Sequence, residues 1–372
     1  MSTKYSTVQK TQFSGRRLAA FFCALTVAFP TLSHANPTMV VDVATGRVIE
    51  HEDAFRKWYP ASLTKMMTAY STFKAIRAGE VSLESIVTMS KVAADQPASK
   101  MYYKPGAQLT LDSALKIMLV KSANDIAVAI GERVGGTLDG FVARMNADAR
   151  SLGMTSSHFI NPNGLPGKGQ YTTARDLAIL AVALRRQFPE YAGYFSLEGI
   201  NTGKKEYPNY NLLIGRFDGA DGMKTGYICA SGFNQVSSAT RNGRTVVSVV
   251  LGADSLGGRA DVSAELLQKA LTSSGGSGPR LDTLQPYGDA AGEVTDISAE
   301  VCNPKAREVR SEGRDEEGRM KLRSPYIHEM GRPPRTVYAG LIPGTEAPSK
   351  TPAGSAVAEI ANVPIPKPRP TF

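Results

Sequence analysis

Apolar positions recur with two different periods along the chain, and each period predicts a different kind of element. Between residues 61 and 77, apolar side chains fall three or four residues apart, which is the spacing of one helix face. Two later runs, 233–239 and 245–252, have strand character and flank an Asn242-Gly243 pair, which is a strong hairpin signal. Further helical patterns cover residues 111–120, 125–135, 139–152 and 173–186.

A strand–turn–strand pattern over residues 39–49 precedes the first of these helices. We expect it to share one antiparallel sheet with the later hairpin, while the helices cover this sheet and form a helical lobe. The predicted fold class is therefore α+β. Residues 36–272 form the predicted main domain, and about 235 residues are enough for one large domain or two lobes.

The first 35 residues differ in composition from the rest. Residues 1–17 carry four basic side chains and no acidic one, and residues 18–32 are largely apolar. Because small residues flank His34 just after this stretch, residues 1–35 are predicted to be a secretory signal peptide cut after Ala35. The apolar stretch is short and contains Pro30, so it is a poor membrane span. An uncleaved N-terminal anchor is the alternative.

Net charge and the spacing of His and Cys residues limit the classes of function that the sequence supports. The chain carries a net charge of +9, and loss of the four basic residues of the leader lowers it to +5. A mild basic excess suits an enzyme near the anionic surfaces of a cell envelope. No basic tract with interleaved aromatic residues is present, so a nucleic-acid partner is not predicted. Without His-Glu-x-x-His or Cys-x-x-Cys spacing, no metal or other cofactor is expected.

Three short strings carry candidate chemistry, and the first runs from Ser62 to Lys65. Pro60 and the helical pattern place Ser62 near a helix N-terminus, with Lys65 one turn later on the same face. The lysine amine can accept the serine proton if burial or a second cation lowers its pKa. The alternative interpretation is a helix-capping serine followed by a solvated lysine.

The second string is Ser122-Ala123-Asn124, in the turn between helices 111–120 and 125–135. At such a place Ser122 can relay a proton and Asn124 can hold a substrate amide. Both residue types are also ordinary in helix caps and turns, so the string decides nothing alone.

The third string is Lys224-Thr225-Gly226, just before the predicted hairpin. Lys224 can supply the second cation that lowers the pKa of Lys65. Gly226 leaves room for an extended substrate to pair with the edge of the sheet. A lysine that protects an edge strand from aggregation is the alternative.

Together, these three strings resemble the motif set of penicillin-binding proteins and class A β-lactamases. Finer strings resemble the low-molecular-weight D-alanyl-D-alanine carboxypeptidases, and this resemblance covers about residues 37–272. The finer strings are Val40-Val41-Asp42-Val43-Ala44-Thr45-Gly46-Arg47-Val48, Asn161-Pro162-Asn163-Gly164-Leu165, Thr172-Thr173-Ala174-Arg175-Asp176-Leu177-Ala178 and Ala230-Ser231-Gly232-Phe233-Asn234.

The resemblance implies a β-lactamase/transpeptidase-like fold and an enzyme that trims D-alanine from peptidoglycan stem pentapeptides, with β-lactams as inhibitors. It implies that Ser62 is the nucleophile, Lys65 the general base and Ser122 the proton relay. The backbone N–H groups of Ser62 and Tyr227 would form the oxyanion hole, and Arg259 would read the terminal carboxylate. A solvated loop arginine is the alternative for Arg259. The implied substrate-binding residues are Asn124, Lys224, Thr225, Gly226, Tyr227 and Arg259.

Four other functions stay open. A β-lactamase shares the nucleophile, but the chain has no Glu-x-x-Leu-Asn-like run between Ser122 and Lys224 to supply the deacylating glutamate. A DD-endopeptidase acting on cross-links, a transpeptidase and a non-catalytic wall-binding protein also remain, although intact Ser62 and Lys65 count against the last of these.

Composition changes after residue 272. Residues 273–279 read as a Ser/Gly linker, and the following residues are Pro-rich with little apolar periodicity. We therefore expect residues 273–372 to be a mostly disordered tail, with some order over 319–341 and no clear membrane anchor. Cys229 lies beside the candidate active strand and Cys302 in the tail, so no structural disulfide is predicted.

Overall fold

The computed structural model describes residues 1–5, 36–275, 277–306, 308 and 322–346. The predicted signal peptide falls mainly on residues 6–35, outside the described residues. Residues 1–5 are exposed and have no secondary structure. The elements described below belong to one compact unit that begins at Ala35.

The described residues contain ten strands and eight α-helices, together with 3-10 helices at Ala61–Leu63 and Pro189–Phe195. The strands are β1 (Thr38–Asp42), β2 (Val48–Glu52), β3 (Ile86–Thr88), β4 (Gln108–Thr110), β5 (Gly199–Asn201), β6 (Glu206–Pro208), β7 (Ala220–Ile228), β8 (Gly232–Arg241), β9 (Arg244–Ala253) and β10 (Thr336–Tyr338). The helices are α1 (Thr64–Arg77), α2 (Lys91–Ala94), α3 (Leu111–Val120), α4 (Asn124–Gly135), α5 (Leu138–Ser151), α6 (Ala174–Gln187), α7 (Leu256–Thr272) and α8 (Ser298–Val301).

A five-stranded antiparallel sheet in the order β2-β1-β9-β8-β7 forms one half of the molecule. Successive strand residues point to opposite faces. Val41 therefore joins the main core with helix α6, while its neighbour Val40 joins a second core with helix α7. Both faces of the sheet are therefore covered, and the strand order leaves β2 and β7 as its two edges. The predicted α+β class and the predicted hairpin are confirmed.

Helices α1 and α3–α6 form the other half, around a nearly completely buried α1. Their N-termini follow the local sequence, because Thr110, Thr137 and Thr173 each cap a helix through a side-chain bond to a backbone N–H. All five predicted helices are present, four of them within one residue of their expected ends. The helix predicted over 61–77 starts as the 3-10 helix and becomes α1 at Thr64. This packing holds the N-terminus of α1 against the edge strand of the sheet.

Helix α7 is not among the predicted helices, and the alternative interpretation of Arg259, a solvated loop arginine, is wrong. Gly257 and Gly258 lie in the first turn of this helix and weaken the helical signal there. The helix begins because the Ser255 side chain accepts a bond from the Gly258 N–H at 2.9 Å. Arg259 is thus a helical residue that packs on the sheet.

The first part of the tail is ordered, contrary to expectation. Its backbone bonds to the main domain at several points, where Leu281 donates to Gly46 at 2.8 Å and Ile297 donates to Ala230 at 3.1 Å. These bonds lead the chain along the domain to the turn after β7. There Cys302 and Cys229 form a disulfide with their Cα atoms 5.6 Å apart, so the prediction of no disulfide was wrong.

Residues 322–346 form a second ordered segment, which we call the strap. Its strand β10 pairs in parallel with β5 and extends the β5–β6 hairpin to a three-stranded sheet. Ala339 is completely buried, and Ile342 donates a backbone bond to Gln108 at 2.8 Å. The prediction of a mostly disordered tail therefore fails for the described residues after 276. The end of the tail, residues 347–372, lies outside them.

Candidate active site

Ser62 and Lys65 lie at the junction of the short 3-10 helix and helix α1. The Lys65 Nζ atom donates a hydrogen bond to Ser62 Oγ at 3.0 Å. The N-cap residues of the two helices are Pro60 and Leu63, not Ser62, and Lys65 is completely buried. The alternative of a capping serine and a solvated lysine therefore does not describe this pair.

Burial sets the proton affinity of Lys65. The amine also donates to Asn124 Oδ1 at 2.8 Å and to the Asn163 carbonyl at 2.6 Å, so all of its bonds go to neutral oxygens. Desolvation lowers the pKa of Lys65 to about 7, and the negative charge of buried Asp125 opposes part of this shift. The amine is thus held near the point where it can either bind or release a proton.

Ser122 lies in the turn between helices α3 and α4, where its backbone has a φ of +62°. This left-handed conformation is unusual for a residue with a side chain, and such strain is concentrated at functional sites. Its Oγ atom accepts a hydrogen bond from Lys224 Nζ at 2.9 Å. The bond joins the helical half to the edge strand of the sheet.

Lys224 is only 2% exposed, so it is not a solvated edge-strand lysine. Its amine also donates to the Thr225 carbonyl at 2.7 Å. Burial lowers its pKa well below the usual value, and the positive charges of Lys65 and Arg259 lower it further. The charge of Lys65 thus acts on Lys224, whereas the pKa of Lys65 is lowered by its own burial and not by the predicted second cation.

Strand β7 approaches Ser62 closely at Gly226. A Cβ atom on Gly226 would lie 3.0 Å from the Ser62 backbone N and 3.1 Å from the Pro60 carbonyl. Only glycine fits this contact without a shift of backbone atoms. The Asn234 side chain on β8 donates to the Tyr59 carbonyl at 3.0 Å and holds the entrance to the helix. The backbone of Ser62 is thereby fixed against the sheet edge.

Arg259 is 3% exposed and extends from α7 to the same strand. It donates to the Gly226 carbonyl at 3.2 Å and to the Tyr210 carbonyl at 3.4 Å. Burial lowers its pKa to about 9. Because neutral carbonyl oxygens do not cancel its positive charge, the buried guanidinium still attracts an incoming anion.

Tyr227, the residue after Gly226, packs its ring on Phe233 with the ring centroids 4.2 Å apart. Its hydroxyl lies 3.2 Å from Cys302 Sγ. The disulfide therefore touches the residue that the resemblance places at the oxyanion hole.

The structure brings the predicted site residues into one cluster. Lys65 is hydrogen-bonded to both Ser62 and Asn124. Lys224 is hydrogen-bonded to Ser122, and Gly226 lies against the backbone of Ser62. Sequence reasoning missed three contributors: the Asn163 carbonyl, the Asp125 carboxylate and the Asn234 side chain. Asp125 and Asn234 lie beside or within strings already singled out, whereas Asn163 acts through its backbone carbonyl, which its residue type does not signal.

The described residues contain neither a candidate metal cluster nor a membrane-spanning helix. No group of three or more His, Cys, Asp or Glu side chains is arranged to hold a metal ion within this part of the chain. Among the same residues, no helix has the length and apolar character needed to cross a membrane.

Comparison with known proteins identifies the family. The family model described as D-alanyl-D-alanine carboxypeptidase matches residues 25–255. Among curated proteins, D-alanyl-D-alanine carboxypeptidase DacC of Escherichia coli is 36% identical over 255 residues, which is 67% of this chain and 64% of that protein. DacA of Escherichia coli is 33% identical over 283 residues, which is 69% of this chain and 70% of that protein.

Solved structures give the same result. D-alanyl-D-alanine carboxypeptidase DacD of Francisella tularensis superposes with a TM-score of 0.62 and 34% identity, covering 64% of this chain and 70% of that chain. Penicillin-binding protein D2 of Listeria monocytogenes, in its ampicillin-bound form, has a TM-score of 0.57 and 29% identity, covering 64% and 98% of the two chains. The transpeptidase-like fold is confirmed.

The fold and the serine–lysine centre define a serine peptidase of the penicillin-binding-protein class. Within that class, the chain belongs to the D-alanyl-D-alanine carboxypeptidase family. The aligned region spans 64% of the length of DacC and 70% of the length of DacA.

Proposed function

We propose that this protein is a serine-type carboxypeptidase that removes the terminal D-alanine from peptidoglycan stem pentapeptides. The observation that carries the proposal is the fully buried Lys65 amine, which lies 3.0 Å from the Ser62 hydroxyl. With a pKa of about 7, about half of this amine is unprotonated near neutral pH. An unprotonated amine at this distance accepts the proton of the nucleophile.

In the acylation step, Lys65 takes the proton of Ser62 Oγ while this oxygen bonds to the carbonyl carbon of the penultimate D-alanine. The displaced electron pair moves to the carbonyl oxygen, which the backbone N–H groups of Ser62 and Tyr227 stabilise. When this pair returns, the C–N bond breaks. The leaving amine receives the proton from Lys65 through Ser122, and the acyl group remains on Ser62.

In the deacylation step, water attacks the ester carbonyl and gives a proton to Lys65. The bond between the carbon and Ser62 Oγ breaks, and the oxygen recovers that proton. The enzyme returns to its starting state, and the tetrapeptide is released with a new carboxyl terminus.

Substrate binding follows from the same strand. An extended peptide pairs with the free edge of β7, and Asn124 holds one of its amides. Lys224 and Thr225 receive the terminal carboxylate, while Arg259 adds positive charge from behind the Gly226 carbonyl. A peptide that ends in a D-alanine carboxylate matches this distribution of charge.

β-lactams are expected to acylate Ser62, because their strained amide can occupy the place of the scissile bond. The signal peptide predicted over residues 1–35 would carry the enzyme to the periplasm or cell envelope, where both substrate and β-lactams are present. The relatives named above act as D-alanyl-D-alanine carboxypeptidases.

The test measures free D-alanine released from a stem pentapeptide by the mature chain. Ser62→Ala is expected to abolish release, whereas Ser82→Ala, at an exposed position on the same half, retains it. Mass spectrometry of the penicillin-treated protein is expected to show one adduct on Ser62. A D-alanine yield unchanged by Ser62→Ala would overturn the proposal.

A further inference from the structure

A second contact joins the two halves of the molecule beside the catalytic serines. Lys121, at the end of α3, donates from Nζ to the Tyr210 hydroxyl at 3.1 Å. Its amine also lies 5.6 Å from the Tyr210 ring centre and 5.4 Å from that of Tyr207. Cation–π contacts of this kind strengthen a pair that is partly shielded from water. We call the Lys121–Tyr210 pair the bridge.

Both ends of the bridge are anchored. The Lys121 carbonyl accepts a bond from Ser99 Oγ at 3.1 Å. On the sheet side, the Tyr210 carbonyl accepts a bond from buried Arg259, and its neighbour Asn211 donates to the Gly222 carbonyl of β7 at 2.9 Å. The bridge is therefore held in place by fixed backbone at each end, unlike a contact between two free surface side chains.

The position of the bridge relates it to the leaving group. In the proposed reaction, the leaving residue lies between Ser122, which protonates its amine, and Arg259, which attracts its carboxylate. Lys121 is the chain neighbour of Ser122, and Tyr210 is in direct contact with Arg259. The bridge is therefore connected to both of the residues between which the leaving residue must fit.

We propose that the Lys121–Tyr210 bridge limits the size of the leaving residue and so selects carboxypeptidase over endopeptidase activity. This inference rests on the proposed function. A terminal D-alanine carries only a methyl side chain. In a wall cross-link, the residue on the leaving side carries a second stem peptide, and the closed end of the cleft excludes it. The bridge residues act by shaping the site and take no part in the proton transfers.

The experiment compares three substrates with the mature enzyme: a pentapeptide ending in D-alanine, the same peptide ending in D-leucine, and a cross-linked muropeptide dimer. The native enzyme is expected to release D-alanine at least 10-fold faster than it cleaves either bulky substrate. In Tyr210→Ala and Lys121→Ala, the ratio of bulky to D-alanine cleavage is expected to rise at least 10-fold. Tyr210→Phe keeps the ring but loses the hydrogen bond, so a smaller rise is expected.

Lys205→Ala is the matched control, because Lys205 also lies over the Tyr207 ring but makes no contact with Tyr210 in the described interactions. In Lys205→Ala, the ratio of bulky to D-alanine cleavage is expected to equal that of the native enzyme. Penicillin acylation of Ser62 reports whether each variant is folded. If Lys121→Ala does not fold, Lys121→Met is used in its place. Each ratio is taken from kcat/KM values, which compare substrates independently of the amount of active enzyme.

The proposal is overturned if folded Tyr210→Ala and Lys121 variants keep the native ratio, or if the native enzyme cleaves the dimer as fast as the pentapeptide. Both outcomes leave D-alanine release intact and the proposed function standing. A native enzyme that releases no D-alanine from any pentapeptide contradicts the proposed function instead.

Discussion

Lys65 donates a hydrogen bond to Ser62 across 3.0 Å while its amine is completely shielded from solvent. A buried ammonium ion loses its hydration, and here the lost hydration is not replaced by a direct bond to a carboxylate. The same burial that makes Lys65 a base at neutral pH therefore weakens the folded state. Activity and stability are opposed at this one residue.

Lys65→Met tests this opposition. The substitution keeps the length of the side chain and removes its amine, so the rate of Ser62 acylation is expected to fall by about 100- to 10,000-fold, the usual contribution of a general base. The free energy of unfolding is expected to rise by about 1–2 kcal/mol. Stopped-flow acylation by a chromogenic β-lactam and urea denaturation measure the two effects.

Lys74→Met is the control for that variant, because Lys74 lies on the same helix but is half exposed and pairs with Asp148. It is expected to leave acylation unchanged and to lower stability slightly. Equal acylation rates in Lys65→Met and the native protein would contradict the role given to Lys65.

The pKa of Lys65 also predicts the pH dependence of acylation. Protonated Lys65 cannot accept the serine proton, so the acylation rate is expected to be half-maximal near pH 7 and about 100-fold below its plateau at pH 5. In Asp125→Asn the opposing negative charge is lost, which lowers the pKa of Lys65 further. The acid limb of the profile is then expected to move to lower pH, and an unmoved limb would contradict the assignment.

The lowered pKa of Lys65 also makes the stability of the folded protein depend on pH. Lys65 has a pKa of about 7 in the folded protein and 10.5 as its ordinary value. Between these values the unfolded chain binds more protons than the folded one, so the Lys65 contribution to stability rises with pH from about 7 to about 10.5. Below about pH 7, both states are protonated and the penalty is constant. Urea midpoints of the native protein and Lys65→Met, taken from pH 6 to 10, are expected to converge as pH rises.

Local patterns predicted much of the fold and the site. The helix starts follow capping threonines. Ser62 and Lys65, the proposed nucleophile and base, lie at the start of a helix whose periodicity is visible, and Ser122 lies in the turn between two such helices. Helix α7 was missed because Gly257 and Gly258 weaken the helical pattern of its first turn. Arg259 was assigned by resemblance alone for the same reason.

Contacts between distant parts of the chain could not be predicted in this way. Cys302 meets Cys229 across 73 residues, and no local pattern in a Pro-rich segment shows that its backbone will bond to a domain edge. The Asn163 carbonyl reaches Lys65 from 98 residues away and uses a backbone atom, so the residue type carries little of the signal. Sequence periodicity reports which face is buried, but not which partner covers it.

Gly226→Ala tests the close approach of strand β7. The added Cβ would lie 3.0 Å from the Ser62 backbone N, so either the strand or the nucleophile must move. Because the oxyanion hole depends on this backbone, D-alanine release is expected to fall by about 100-fold or more. Gly193→Ala, with no atom within 4 Å of the added Cβ, is the control and is expected to keep full activity. Steady-state assays of both proteins measure the difference.

Cys302→Ser tests whether the tail stabilises the active strand. The disulfide closes a loop of about 73 residues, and its loss is expected to lower the free energy of unfolding by about 2–4 kcal/mol. Because Cys302 Sγ touches the Tyr227 hydroxyl, hydrogen exchange at β7 is also expected to increase. Cys229→Ser should reproduce both effects, and dithiothreitol should produce them in the native protein alone. If the variant unfolds at the native urea midpoint, the disulfide does not stabilise the domain and the prediction is wrong.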